Sequence, residues 1–508
     1  MKPGIALFIV GAFVCGRTIA AQETHSHPPP EKLGTVTFAT SCAPRVSHDF
    51  ERAVALLHSF AYSAAEKAFH DVSVADPGCA MAHWGVAMSY FHQLWSPPGP
   101  AELKQGQAEI DQAKQLKVGS ERERQLIAAI AAYYQDYDHL PHPVRAKAYE
   151  DAMNAAAKSN PTDTEVQVFY ALSLIATAPP TDKSHANQKH AALILEPIYR
   201  QYPDHPGVAH YLIHDNDSTE LARHGLAAAR AYSKIAPSAP HALHMPSHIF
   251  TRLGLWDDSI ASNIAARAAA HREGDVGEEL HAMDYLVYAY LQRDRPKDAE
   301  QVVAALASMD GLTANDFKIG YAATAMPVRL VMERHSWDAA AALRVLPDSA
   351  PHVAAIVYWA RAVANARAGR PQAADDDIAQ LESCRAKLES GGNAYWTTQV
   401  NVLTKEAKAW QSAAAAHAED AVRQLREAAD EEDAVERLPV TPGPIIPARE
   451  QLGDLLLTLN RPQDALREYR AALVDAPGRR GALMGAAKAA TFKASEIDKS
   501  SQIPSRRS

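Results

Sequence analysis

Cysteine is scarce in this sequence, with four in 508 residues, and aromatic side chains make up only 7%. No two cysteines stand in a Cys-x-x-Cys pair, so a thiolate zinc cluster and a dithiol redox centre are excluded. Without Cys-x-x-Cys-His there is no covalent haem attachment either. Also missing are a His-Glu-x-x-His zinc-protease motif, a Gly-x-Ser-x-Gly nucleophile elbow and a glycine-rich phosphate loop followed by lysine. No motif is left to nominate catalytic residues. Apolar–polar alternation of the strand type is absent, and neither the first apolar run nor any later stretch is long enough to cross a bilayer. An excess of positive charge is lacking too. The net charge of −9 disfavours nucleic acid and anionic membrane as partners.

The chain opens MKPGIALFIVGAFVCGRTIAAQ. Lys2, the apolar run Ile5 to Val14 and the small residues around Ala20-Ala21 read as a secretory signal over 1–21. The expectation is an exported, soluble protein, periplasmic or secreted. Loss of Lys2 and Arg17 would take its charge down by two, to −11. Residues 22–45, with His25, His27 and three consecutive prolines, read as a flexible leader. Cys42, Cys79 and Cys384 remain after processing. Cys42 and Cys79 each lie just before a first helix of neighbouring repeats, so a disulfide between them is expected, the alternative being two buried thiols.

Histidine, by contrast, is plentiful, at 23 residues, and it is patterned. His210 and His214 are four apart, as are His244 and His248, and 34 residues separate the corresponding members. A helix stacks residues i and i+4 on one face. Pro203 and Pro237 repeat the 34-residue step independently. That is the period of a helix pair stacked on its neighbours. Alanine-rich composition suits such an array, since small residues let helices approach closely.

The segments LLHSFAYSAAEKAF, DPGCAMAHWGVAMSY, HPGVAHYLIH, PHALHMPSHIFTRLGLW, LHAMDYLVYAYLQ and PVTPGPIIPARE carry a resemblance to tetratricopeptide-repeat proteins. More narrowly, they resemble a family of exported bacterial repeat proteins. The resemblance covers most of the chain and brings a fold, not an activity. It implies an all-α solenoid, a right-handed superhelix whose inner wall is formed by the first helix of each pair. The organisation expected is a central array with a histidine-lined groove over 46–309, degenerate helical repeats over 310–435, a C-terminal repeat over 436–492 and a disordered tail over 493–508. The acidic stretch from Glu419 to Glu436 reads as a solvated helix face.

In this family the ligand-facing places of a repeat are the second, fifth, ninth, twelfth and thirteenth. His210 and His214 take the fifth and ninth. His241, His244, His248, Thr251 and Arg252 fill all five places of the next repeat. His281, Asp284 and Tyr288 take the second, fifth and ninth of the one after. Neutral imidazole binds Zn²⁺, Cu²⁺, Fe²⁺ or Ni²⁺. His210, His214, His244 and His248 are therefore the expected metal ligands, with His281 or Asp284 completing or orienting the shell. His241, Thr251, Arg252 and Tyr288 complete the groove lining. Pro246 either starts the helix bearing His248 or kinks it. His58, His83 and His92 read as packing or surface histidines, and His224 and His271 as outward-facing. The functional expectation is a concave site for a transition metal (zinc, copper or iron) or a small acidic ligand. A metal-free scaffold docking a peptide or protein is the alternative, and a metal-dependent oxidoreductase or hydrolase a third.

Overall fold

The computed structural model describes residues 31–501 apart from 95–96, 311, 315 and 439. The signal segment, His25 and His27 lie outside the described residues. Among those described the chain is all-α, with no strand. Helices follow one another from Ser47–His58 to Arg480–Ser501, and each packs mainly on its neighbour in sequence. This is the tetratricopeptide-like arrangement. Proline stands at the start of many helices, Pro206–Asp215, Pro240–His244 and Pro462–Asp475 among them, where its missing N–H costs nothing. Aromatic rings wedge against glycines sixteen residues away. A Cβ on Gly85 would stand 2.2 Å from the Phe69 ring, and one on Gly485 would stand 2.3 Å from the Tyr469 ring. Only glycine admits that approach between helices.

Cys42 and Cys79 are joined in a disulfide, Cα atoms 4.7 Å apart, which ties the lead-in of the first helix pair to that of the second. Closing this 37-residue span stabilises the fold by roughly 4 kcal/mol on the chain-entropy account. Cys384 is a buried free thiol.

The described part of the expected leader is not free. Leu33, Val36 and Phe38 are buried in the first core, and the Thr35 amide donates to the Asp204 carbonyl. Arg122 stacks on Phe38 at 4.3 Å. Enough apolar surface sits in this short segment to hold it against the array. At the other end, helix Arg480–Ser501 continues past Lys493, where a polar tail was expected to begin.

The C-terminal third folds back on the centre. The Trp256 indole donates to the Gly478 carbonyl, and Arg329 donates to the carbonyls of Gly443 and Pro444. Glu436 pairs with Lys183 and Arg252, and its amide donates to the Pro180 carbonyl. The end of the acidic stretch is thus turned inward, because basic side chains of the central repeats face it.

Candidate metal centre

Helix Pro206–Asp215 carries His210 and His214. Its start is set by His205, whose Nδ1 accepts the Val208 amide, and by Pro206 behind it. The next first helix is interrupted. Pro240–His244 and Pro246–Arg252 meet at Met245, whose φ and ψ of −50° and −37° stay helical. The Met245 amide donates to the His241 carbonyl and the His248 amide to the Met245 carbonyl. Pro246 therefore kinks the run without ending it, and His244 and His248 still share a face. His281 lies on Val276–Gln292, whose start Asp275 caps through the Glu278 amide.

Six imidazoles form one buried array. The Nε2 atoms of His210 and His214 stand 3.1 Å apart, and those of His244 and His248 stand 2.9 Å apart. The ligand nitrogens gather as two triads, His210–His214–His241 and His244–His248–His281. Within each triad they all lie within 4.8 Å of one another. The triads adjoin, with ring centroids of His214 and His248 6.0 Å apart.

The rings are held from behind. His210 donates Nδ1–H to the His58 carbonyl at 2.6 Å. His244 donates Nδ1–H to Asn263 Oδ1 at 2.6 Å, and the Asn263 amide group is oriented by donating to the Ser259 carbonyl. His248 donates Nδ1–H to Asp217, and His241 donates Nδ1–H to Glu278. Each such bond commits Nδ1 as donor and leaves Nε2 as a lone pair. Burial pushes His210, His214, His244 and His281 well below the ordinary imidazole range. Neighbouring histidines add to this: His241 for His210, His210 for His214 and His281 for His244. Burial also lowers His248, against the pull of Asp217. Burial alone would raise Asp217, but Arg252 and His248 override it and hold the carboxylate ionised. Glu278 is held ionised against its burial by Lys318 and His241.

The expected site residues thus divide. His210 and His214 stand together, as do His244 and His248, but the two pairs fall in different triads instead of around one point as expected, and His241 and His281, placed at the groove's second positions, each join one pair as ligand-capable members. Arg252 braces Asp217 from Nε at 2.9 Å. Asp284 is not drawn in. It faces Arg329, Nε to Oδ1 3.5 Å, and burial raises its pKa. The Thr251 hydroxyl meets Ser259 Oγ at 3.2 Å, and Tyr288 packs edge-on against Trp256. His224 and His271 point outward, the latter to Glu279. An open wall was expected here. Instead His210 and His244 are 0% exposed, Asp284 0%, Tyr288 2% and His214 7%. Phe60 packs on His210, His214 and His241, and the folded-back segment reaches the second triad, where the Tyr285 hydroxyl beside His248 donates to the Thr441 carbonyl. A surface pocket bounded by Leu94, Pro180, His185, Asp217 and Arg437 reaches the first triad at His214.

A second buried group is fully satisfied. His58 and His205 donate to the two oxygens of Glu165 at 2.8 and 2.9 Å. The Tyr211 hydroxyl donates to His58 Nδ1 at 2.9 Å, and the Val208 amide donates to His205 Nδ1. Every ring nitrogen is used, so this trio is a brace. Burial opposes the ionised form of Glu165, but the two histidines hold its pKa to about 2. Gly207 makes room for the brace, since a Cβ there would lie 2.5 Å from His58 Nδ1. His58, read from sequence as a packing residue, thereby supports His210 through its own carbonyl. Asp217, Asn263 and Glu278 were missed as orienting groups. Asn263 alone carried a signal, a polar residue in an alanine-rich helix; Asp217 and Glu278 lie among other polar residues and do not stand out.

No known family profile matches the chain, and no curated protein matches it. Among solved structures, the human IFIT1 dimer with m7Gppp-AAAA aligns over 82% of this chain and 90% of its own, at 10% identity and a TM-score of 0.37. The P58(IPK) TPR domain aligns over 91% of this chain and 100% of its own, at 13% identity and a TM-score of 0.22. Superpositions this loose add no ligand or activity. By its own helices the chain is an all-α tetratricopeptide-like repeat array with two adjoining buried histidine triads at its centre.

Proposed function

We propose that this protein binds a transition metal through the buried histidines of its central repeats. The carrying observation is the 2.9 Å separation of His244 Nε2 and His248 Nε2, with both Nδ1 atoms committed as donors. Two neutral lone pairs that close repel each other. A cation between them turns the repulsion into two bonds. Nitrogens bound to one ion at about 2.0–2.1 Å stand about 3.0 Å apart at a right angle and about 3.4 Å at the tetrahedral angle. The pair is therefore spaced as two ligands of one ion. All-imidazole coordination suits zinc, copper, iron or nickel.

A small acidic ligand is supported by a separate feature. Arg437 Nε is buried without a hydrogen-bond partner, and its side chain lines the pocket that leads to His214. An anion entering there would meet the guanidinium before the imidazole, and in a metal-loaded protein it would meet the ion. This arrangement supports metal-dependent oxidoreductase or hydrolase chemistry as the next class to screen. A peptide laid along the histidines is disfavoured by their burial. Action in an exported, oxidising compartment is part of the proposal and is supported by the Cys42–Cys79 disulfide.

The test is elemental analysis of the untagged full chain after reconstitution with Zn²⁺, Cu²⁺ or Fe²⁺ and desalting. Stoichiometric metal that disappears in the His210→Ala/His214→Ala/His244→Ala/His248→Ala variant, with helical circular dichroism retained, is the expected result. A wild-type protein that holds no ion under any of the three conditions overturns the reading.

A further inference from the structure

We infer that the centre is dinuclear: the two triads are two copies of one site, and each holds one late first-row ion, copper or zinc. This inference rests on the metal reading above and goes beyond it in number, ligand set and kind of ion.

The repeat itself makes the copies. Each triad takes the i, i+4 pair from one first helix and one histidine from the following first helix. His210 and His214 combine with His241, and His244 and His248 combine with His281. The pair advances by 34 residues between copies. The third member advances by 40, which is the repeat step lengthened by the six-residue extension around Gly274–Gly277. A solenoid carries its side-chain pattern forward with each repeat, so a ligand set that spans one repeat boundary recurs at the next. Corresponding members behave alike. His210 and His244 both donate Nδ1–H to a fixed carbonyl oxygen, and both aim Nε2 at the partner four residues on. The series then ends. At the next fifth place stands Asp284, which faces Arg329.

One ion cannot serve both copies. Ligands of a single ion lie at most about 4.2 Å apart, twice the bond length; the 4.8 Å limit within each triad is within a small ring movement of that reach. The six nitrogens instead gather as two sets of three. No carboxylate joins either set; Asp217 and Glu278 bond the Nδ1 side of His248 and His241. Three neutral imidazoles leave each ion a further position for an exogenous ligand. The nearby carboxylates are already balanced, Asp217 by Arg252 and Glu278 by Lys318. Two added divalent ions would bring uncompensated charge into a buried space. That balance favours copper(I), which brings one charge per site; zinc would need an anion at the open position of each ion to match it.

The experiment counts ions. The untagged full chain is stripped with chelator, loaded anaerobically with copper(I) in one arm and with Zn²⁺ in the other, desalted and analysed for metal per chain. The variants are His210→Ala/His214→Ala, which removes the first pair, and His244→Ala/His248→Ala, which removes the second. Two equivalents in the wild type and one in each variant, in either arm, is the expected result. One equivalent in the wild type overturns the dinuclear centre and leaves metal binding standing, whereas none in either arm overturns both. Should a double variant lose its helical signal, His241→Gln and His281→Gln replace them, each expected to lower affinity for one of the two ions at least tenfold in a chelator competition. Equal weakening of every bound ion by either single change also overturns the proposal.

Discussion

His210 donates a hydrogen bond to the carbonyl of His58, a residue 152 positions earlier in the chain. The first helix of the array thus fixes the tautomer of a ring in its centre. The contact depends on Gly207, which lets the His58 ring lie beneath the helix carrying His210. Gly207→Ala places a methyl 2.5 Å from that ring, so ring or helix must shift. Overpacking of this kind costs about 1–3 kcal/mol. The urea midpoint is expected to fall accordingly, and metal affinity at the first triad with it. An unchanged midpoint together with unchanged affinity would show that the brace does not support the site.

Asn263 does for His244 what the His58 carbonyl does for His210. Asn263→Leu removes the acceptor while keeping a similar volume. His244 would then be free to carry its proton on Nε2, where it blocks coordination. Loss of such an orienting partner typically weakens metal binding by about 10–100-fold. Competition with a chelator of known affinity measures it, and Asn263→Asp, which retains an acceptor oxygen, should recover most of the loss. Equal affinity for the Leu variant and the wild type would sink the tautomer argument.

Mild acid should weaken the contribution of the buried neutral histidines to the metal-free protein. Burial lowers His142 and His352 to about 4, and the Arg145 guanidinium adds to the effect at His142. Because folding depresses these pKa values below 6.5, the unfolded chain takes up protons first as pH falls. The contribution of these two rings is complete above about pH 6.5 and is lost progressively down to about pH 4. Glu165, held to about 2, keeps its contribution through that window. Buried Asp215, Glu432 and Glu450, raised by burial to about 8, 7 and 7, work in the opposite sense, since the folded chain takes up their protons first. The histidine contribution is therefore read as a difference: the urea midpoint of the wild type should fall relative to that of His352→Gln between pH 6.5 and 4. A difference constant over this interval would contradict the burial of this ring.

Removing the Cys42–Cys79 bridge by the double change to serine should lower unfolding free energy by roughly 4 kcal/mol, since the open span regains its loop entropy. Denaturant unfolding of the variant and the reduced wild type should agree. A difference from the oxidised protein below about 1 kcal/mol would mean that packing of Val36 and Phe38 already holds this segment.

The 34-residue recurrence of His210–His214 in His244–His248 was legible because a repeat array writes its spatial period directly into the sequence. The same logic put His241 and His281 on the same wall, His241 as lining and His281 as a residue completing or orienting the shell. Whether a second-place ring reaches back to the pair of the previous repeat depends on how far one helix pair turns relative to the next. That rotation is set by contacts such as Asn263 under His244, which no periodicity reports. Asp284 and Tyr288 occupy equivalent places and are diverted, because Arg329 and Trp256 meet them first.

The sequence by itself determined the helical repeats, the helix starts at proline and the stacking of histidines at four-residue spacing, and it left Cys42 and Cys79 as either a bridge or two thiols. All of these follow from local chemistry or from a period carried along the chain. Only the tertiary structure decided that the histidines form two triads, that Cys42 and Cys79 are bridged, that Asp217, Asn263, Glu278 and the His58 carbonyl orient the rings, and that Phe60 packs on one triad while the Thr441 carbonyl meets Tyr285 beside the other. Those outcomes join residues tens to hundreds of positions apart. They depend on burial and on which buried polar group finds which partner, a choice made by the packed fold as a whole.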